Sequence, residues 1–349
     1  VVLTSIPSPP SDWSVYYVGS WIHSWLPAWP AAWTLPVHAY ALIILLGIIV
    51  AIVVTNYRLT RRGGEPWIII DIALPTVILG IVFARVWHVA THVADYFGPG
   101  KNTWNPFQPG AVWNIWDGGD AILGALLGGA LGVLIAARWT GLRFWSIVDA
   151  LAPSLLLAQA LGRLGNYFNH ELYGLPTDLP WGLQIPASNP AYPSGLPSGT
   201  LFHPTFLYEM ILSVIGFIVI MLIENARRGG WRRGQWVRRP FWQWGKVLGL
   251  YLIWYGAERT WLENIRIDPS QTHLGIRDNV WGAIAAIVLG VLIIAVQSRR
   301  HPGIEPGVYR PGRQWTPSDQ VESEDTYSDD DDDAEIPEKA PATSGASAS

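Results

Sequence analysis

Between Gly162 and Gly174 the chain reads Gly-Arg-Leu-Gly-Asn-Tyr-Phe-Asn-His-Glu-Leu-Tyr-Gly, which places a guanidinium, two amides and a carboxylate directly after an apolar run. An arginine near hydrocarbon costs about 2.5–3.5 kcal/mol even on lenient insertion scales, so it is retained where it meets an anion, a carboxylate or water. The planar fork of Arg163 suits phosphate oxygens, and Asn166 and Asn169 set further polar groups beside it. A second set lies later in the chain, where Tyr255, Arg259 and Glu263 follow at i, i+4 and i+8 and so share one helical stripe. Glu258 falls off that stripe and is expected in a packed or loop-facing place. A third arginine, Arg85, sits inside another apolar run.

These groups need elements to hold them at one depth. With 50% hydrophobic and 14% charged residues and 21 tryptophans in 349 residues, the chain reads as an all-α integral membrane protein. Seven apolar runs suit the ~20 residues that cross a bilayer. They cover about 36–55, 66–93, 118–137, 144–166, 204–223, 244–263 and 280–296. The third is rich in Gly, which lets helices approach closely. Arginines crowd every second connection (Arg58, Arg61, Arg62; Arg138, Arg143; Arg227 to Arg239; Arg299, Arg300). By the positive-inside rule this puts the N-terminus outside and the C-terminus in the cytoplasm.

At ~1.5 Å rise per residue, Arg85, Arg163 and Arg259 lie about 20–30 Å above the cytoplasmic ends of their runs. Three arginines at similar depth outline one cationic pocket facing the outer leaflet, with a lipid phosphate as the anion. The alternative is that they snorkel or form internal ion pairs, as Arg259 can with Glu263 one turn on.

The chain divides into a leader (1–35) expected to be exposed and interface-hugging, a seven-helix catalytic domain (36–300) and an acidic tail (301–349). The leader lacks the basic n-region and small-residue cleavage site of a signal peptide and is expected to remain attached. The tail, with Asp329 to Asp333 unbroken, is too poor in apolar residues to repay ordering and is expected to be disordered in the cytoplasm. The chain has no Cys, which removes disulfides, thiolate nucleophiles and Cys-ligated zinc. His88 and His92 have i, i+4 spacing but suggest no third ligand, so no metal and no cofactor are expected.

The pattern Gly162-Arg163, Gly165-Asn166, Asn169, Glu171 and Gly174 closely resembles the signature of the prolipoprotein diacylglyceryl transferases, bacterial inner-membrane enzymes. His203-Pro204-Thr205-Phe206-Leu207-Tyr208-Glu209 is similar to a further family segment, as are Tyr255-Gly256-Ala257-Glu258-Arg259 with Glu263 and Arg266, and the first-helix segment through Tyr40. The resemblance covers about 36–300. It implies transfer of the diacylglyceryl group of phosphatidylglycerol to the lipobox cysteine of a prolipoprotein, forming a thioether and releasing glycerol phosphate. The implied partners are phosphatidylglycerol, prolipoprotein signal peptides and the bilayer, with no nucleic acid.

On this reading Arg163 binds phosphate and Arg259 stabilises the leaving group, while Tyr40 and Tyr255 are proton carriers. Arg85, Asn166, Asn169 and Gly174 complete the lipid site, and Glu171 and Glu263 hold the arginines; Glu209, inside its span, neutralises an arginine. One departure stands out: where the family pattern often has a histidine before Gly-Gly, this chain has Leu123. The thiol is then expected to be activated by the positive field of the pocket, helped by Tyr40 or Tyr255, because guanidiniums stabilise a thiolate. His88 and His170 are the other candidates by depth. Two readings from other classes are a transporter for an anionic solute, which would want polar residues through the full bilayer thickness, and a non-catalytic lipid-binding scaffold.

Overall fold

The computed structural model describes residues 5–28, 36–98, 104, 110–114, 121–225, 228–232, 235–239, 242–268 and 272–316. The chain divides into two compact units, Val1–Gln314 and Trp315–Ser349. The acidic run lies outside the described residues, as do Gly118 to Asp120 at the expected start of the third span.

Helices dominate the first unit. In chain order they are α1 (Val18–Trp25), α2 (Ala39–Thr60), α3 (Ile69–Thr91), α4 (Val93–Tyr96), α5 (Ile122–Trp139), α6 (Phe144–Phe168), α7 (Thr205–Asn225), α8 (Lys246–Glu263) and α9 (Asp278–Arg300). Among the described residues, α2, α3, α5, α6, α7 and α9 are long and apolar enough to cross a membrane. The protein is therefore mostly helical with six candidate spans. The 18-residue α8 is not among them and carries Lys246, Glu258, Arg259 and Glu263 along its length.

The most enclosed span is α6: 56% of its apolar stretch is buried, against 11–33% for the other five. It packs on α2, α7 and α8, while α3 pairs with α5 and α8 with α9. Small residues set these approaches. On α5, Gly124, Gly128 and Gly132 face α3 so closely that an added Cβ would lie 2.2 Å from the Phe83 and Leu79 carbonyl oxygens and 2.5 Å from the Thr76 Cα. Gly256 meets the Ala283 carbonyl of α9 in the same way, at 2.5 Å. Without a hydrophobic force between helices in lipid, such close backbone contact supplies the dispersion energy that holds a pair together.

The buried carboxylate of Asp149 on α6 organises the start of α8. It accepts the backbone N–H groups of Gly245 (2.7 Å) and Leu248 (3.0 Å), two donors that the first turn of a helix leaves unsatisfied. Gly245 has φ 90°, a left-handed conformation, and a Cβ there would strike the Trp145 ring.

Among the described residues, four two-stranded ribbons decorate the helices: β1 (Val15–Tyr17) with β2 (Pro36–His38), β3 (Leu183–Gln184) with β4 (Leu201–Phe202), β5 (Arg228–Arg232) with β6 (Gln235–Arg239), and β7 (Thr272–His273) with β8 (Ile276–Arg277), all antiparallel. Two segments flanking the spans are tied to the bundle. Within the leader, Ile6 donates to Gly182 O and accepts from Gln184 N (both 2.9 Å), Tyr167 donates to Pro7 O (2.8 Å), and β1 pairs with β2. Two backbone groups of the loop after α6, Gly182 O and Gln184 N, thereby find partners.

At the other end, residues 301–314 pack against the bundle instead of joining the tail. Val308 O accepts from Arg143 N at 2.8 Å, Arg310 N donates to Gly141 O at 2.9 Å, and Val308 and Tyr309 are buried. Residues 301–314 thus belong with the bundle, and the acidic composition begins only after this anchor.

Candidate functional site

The signature begins on the last turns of α6 and continues into a turn that folds back on it. Asn169 N donates to Gly165 O and Glu171 N to Asn166 O, and His170 and Leu172 take positive φ values of 51° and 58° to make the reversal. The turn brings the Glu171 carboxylate to the side-chain amides of Asn166 (3.0 Å) and Asn169 (3.3 Å). Glu171 thus holds the two asparagines and not an arginine. The oxygen of the Asn166 amide in turn accepts from Arg163 at 3.3 Å.

Arg163 makes an ion pair with Glu209 of α7, and Glu209 also faces Arg266 at 3.8 Å. The expectation that Glu209 neutralises an arginine within the span agrees with this pairing. On α8, Arg259 pairs with Glu263 at 3.0 Å, and the fully buried Glu263 also takes Arg277 at 2.9 Å and the amide of Asn279 at 3.1 Å. Arg266 and Arg277 are tied together through Asp268, at 2.7 Å and 3.8 Å. The result is an alternating ladder of guanidiniums and carboxylates, in which each buried charge has a counter-charge, as burial demands.

Arg163 and Arg259 line one pocket together with Glu209, Ser213, Tyr255 and Glu258. Its free volume is 10 Å³, room for about one water molecule, so a larger group enters only as side chains move. Arg163 is the more exposed of the two guanidiniums, at 25% against 14%. Against it lies an apolar cleft of 360 Å³ between α7 and α8, lined by Leu212, Trp254, Ala257 and Trp261. Glu258 lines both spaces. Glu258 was expected in a packed or loop-facing place; it is packed, but against the pocket, whose wall takes in Glu258 beside Tyr255 and Arg259 of the stripe and leaves out Glu263.

The other expected residues fall in three places. Tyr40 lies on Gly165, whose added Cβ would be 2.4 Å from the ring, so it packs beneath the signature rather than in the pocket wall. Gly174 is needed for its size: a Cβ would meet the His203 Cβ and the Ile265 carbonyl oxygen, both at 2.7 Å. This close approach joins the signature turn to Arg266 through a bridge. Arg85 is not brought to the pocket. Its guanidinium is buried at the end of α3, donating to Val112 O (2.6 Å) and Ala111 O (2.8 Å) and lying 5.0 Å over the Tyr96 ring. The three arginines lie at similar depth along their helices, but α3 turns this one toward α4 and the loop before α5.

No histidine lines the pocket among the described residues. His88 stacks on His92 at 4.3 Å, His170 meets Pro9 O at 2.8 Å, and His203 meets the Tyr208 hydroxyl at 3.2 Å. Leu123 is 56% exposed. Tyr173 of the signature donates to Ala191 O at 2.5 Å, and burial pushes its phenol above the ordinary range, which suits a structural role. Sequence reasoning did not single out Gln159 or Ser213 at all. The one signal each gives is a polar side chain in the middle of an apolar run.

A helical bundle with six apolar spans, closed at one end around paired arginines and carboxylates beside an apolar cleft, defines an integral membrane protein with an enclosed charged site. Residues 29–296 match the model of the family described as prolipoprotein diacylglyceryl transferase, and the chain belongs to that family. It is 54% identical, over 98% of its length and 97% of the relative's, to the phosphatidylglycerol–prolipoprotein diacylglyceryl transferase of Leifsonia xyli subsp. xyli. It is 39% identical to the enzyme of that name in Bifidobacterium longum strain DJO10A, over 82% of this chain and 88% of that one. For the one in Streptomyces griseus the identity is 37%, over 82% and 80%.

Proposed function

We infer that this protein moves the diacylglyceryl group of phosphatidylglycerol onto the lipobox cysteine of a prolipoprotein, in the first step of lipoprotein maturation. The observation that carries this reading is the junction at Glu258, where a pocket holding Arg163 and Arg259 adjoins an apolar cleft. An anionic lipid has that shape, a phosphate next to acyl chains. The peptide supplies the nucleophile that a Cys-free chain lacks. Its sulfur forms a bond to the terminal glyceryl carbon, the bond from that carbon to the phosphate oxygen breaks, and glycerol phosphate leaves with the electron pair.

Arg163 binds the phosphate and Arg259 stabilises charge building on the leaving oxygen, in a site dry enough for such donors to act strongly. Asn166, with Asn169 and Glu171 behind it, orients headgroup oxygens; Glu263 holds Arg259; Gly174 keeps the signature turn against Arg266. Tyr255 is placed to relay a proton within the pocket, and Tyr40 sets the position of Gly165.

The setting is a bacterial plasma membrane crossed seven times, α8 being the additional crossing because α6, α7 and α9 enclose its charged face. The arginine-rich connections lie in the cytoplasm, so the pocket opens toward the outer leaflet, where prolipoproteins emerge. Residues 315–349 form a cytoplasmic acidic tail.

The test is to incubate the purified protein, in vesicles containing phosphatidylglycerol, with a lipobox peptide. A diacylglyceryl mass gain on the Cys, with glycerol phosphate released in equal amount and no gain on a Cys→Ser peptide, is the expected result. Folded protein that leaves the peptide unmodified would exclude the reading and leave a transporter or scaffold.

A further inference from the structure

The pocket contains three groups able to exchange protons, Glu209, Tyr255 and Glu258. The family histidine is replaced by Leu123, which faces outward at 56% exposure, so the proton of the attacking thiol must go elsewhere. Glu209 is already committed to Arg163 and Arg266, and taking a proton there would give up both ion pairs. The Tyr255 hydroxyl both donates and accepts, so it can relay a proton but offers no carboxylate to keep one.

Glu258 differs from both. Its carboxylate has no ion-pair partner among the described residues. Ser213 of α7 donates to Oε1 at 3.1 Å, while Oε2 is buried and has no hydrogen-bond partner among the described residues, the neighbouring Trp254 indole donating to Leu212 O at 3.1 Å. A buried carboxylate oxygen left open is costly unless it serves something that is not always there. The residue as a whole is 9% exposed and lines both the arginine pocket and the apolar cleft. In phosphatidylglycerol the reacting carbon lies between the phosphate and the acyl-bearing carbons, so the carboxylate stands at the level where the C–O bond breaks and the C–S bond forms.

We propose that Glu258 is the general base of this transferase, taking the proton of the lipobox thiol through Oε2. This rests on the transfer reaction inferred above. The thiol proton passes to the carboxylate as the sulfur bonds to the glyceryl carbon, and the electron pair of the broken C–O bond goes to the phosphate oxygen. The protonated Glu258 then gives its proton to the departing glycerol phosphate, which restores the carboxylate and closes the proton balance. The charged and titratable groups around Glu258 are Arg163 of α6, Glu209 of α7, and Tyr251, Tyr255 and Arg259 of its own helix. The packing of α9 against this part of α8 is apolar, through Ala283 and Ile287 on Gly256.

The experiment uses the full chain in phosphatidylglycerol vesicles with a lipobox peptide, reading kcat, KM for each substrate and the pH profile for wild type, Glu258→Gln, Glu258→Asp and Ser213→Ala. We expect Glu258→Gln to lower kcat by about 10²–10⁴-fold with KM values within about threefold, and to lose the limb over which the wild-type rate rises with pH. Glu258→Asp keeps a limb at a reduced rate, and Ser213→Ala displaces the limb along the pH axis because it removes a hydrogen bond to the base. The proposal is overturned if Glu258→Gln keeps wild-type kcat or the limb, or if Gln and Asp are equally inactive with raised KM, which marks a structural role. Should Glu258→Gln not fold, an unmoved limb in Ser213→Ala overturns it. Wild type that forms no thioether would instead sink the transferase reading itself.

Discussion

Removing the Arg163 guanidinium should separate the stability of the charge ladder from the chemistry it supports. In Arg163→Ala the carboxylate of Glu209, 5% exposed, keeps only Arg266 at 3.8 Å. Breaking a fully buried pair costs about 3–5 kcal/mol. Here the cost is reduced to about 1–3 kcal/mol, because Arg163 is itself 25% exposed and a second guanidinium remains. Adding Glu209→Gln takes away the uncompensated charge, so the double variant should recover most of that stability. Transfer should not recover, because a missing donor to the developing phosphate charge costs about 10²–10³ in kcat. Arg163→Lys should behave like Ala in rate while staying close to wild type in stability, since Lys keeps a charge for Glu209 but not the fork that also reaches Asn166. The assay is thermal unfolding in detergent alongside peptide modification in vesicles. Wild-type transfer by Arg163→Ala, or transfer restored by Glu209→Gln, would refute the assignment of Arg163 to the substrate phosphate.

Other expected outcomes are more local. Gly174→Ala should cost about 1–3 kcal/mol and lower activity, because its Cβ meets atoms at 2.7 Å on two sides, and unchanged unfolding would show that the turn gives way freely. Truncation after Gln314 should leave kcat and melting intact, whereas truncation after Arg300 should lower the melting temperature by removing Val308 and Tyr309; equal melting of the two would deny the anchor. Burial pushes the Glu305 carboxyl above its ordinary value of 4.5, against opposing effects of Ser146, Arg62, Arg143 and His301. The folded state therefore binds this proton more tightly than the unfolded chain, and stability from this group is present at acid pH and declines as pH rises above about 4.5. Glu305→Gln should flatten that decline in a series of melts, and an unchanged slope would remove Glu305 from it. Because the chain has no Cys, a cysteine introduced at Ser194 should react with an impermeant thiol reagent from outside and one at Gly229 should not; the reverse pattern would invert the proposed orientation.

Local composition alone determined the lengths of apolar helices, the glycine stripe on α5 and the density of chemistry between Gly162 and Gly174. Hydropathy and small-residue spacing act within one helix, so they can be read one segment at a time. Depth was legible too, because 1.5 Å per residue places Arg163 and Arg259 near the same end of their helices. Azimuth was not. Which side of α8 faces the pocket depends on how it lies among α6, α7 and α9, and that packing turned Glu258 inward although it stands one residue, about 100°, from Arg259. The same cause sent Arg85 to carbonyls beyond α3, while the reversal at His170 and Leu172 left Glu171 with two asparagines and Glu209 took Arg163. The docking of residues 5–17 and 301–314 was likewise hidden, since backbone hydrogen bonds between distant segments leave no periodic mark on either. Charges in lipid must find partners, and the sequence shows that they need them; only the fold decides which ones they meet.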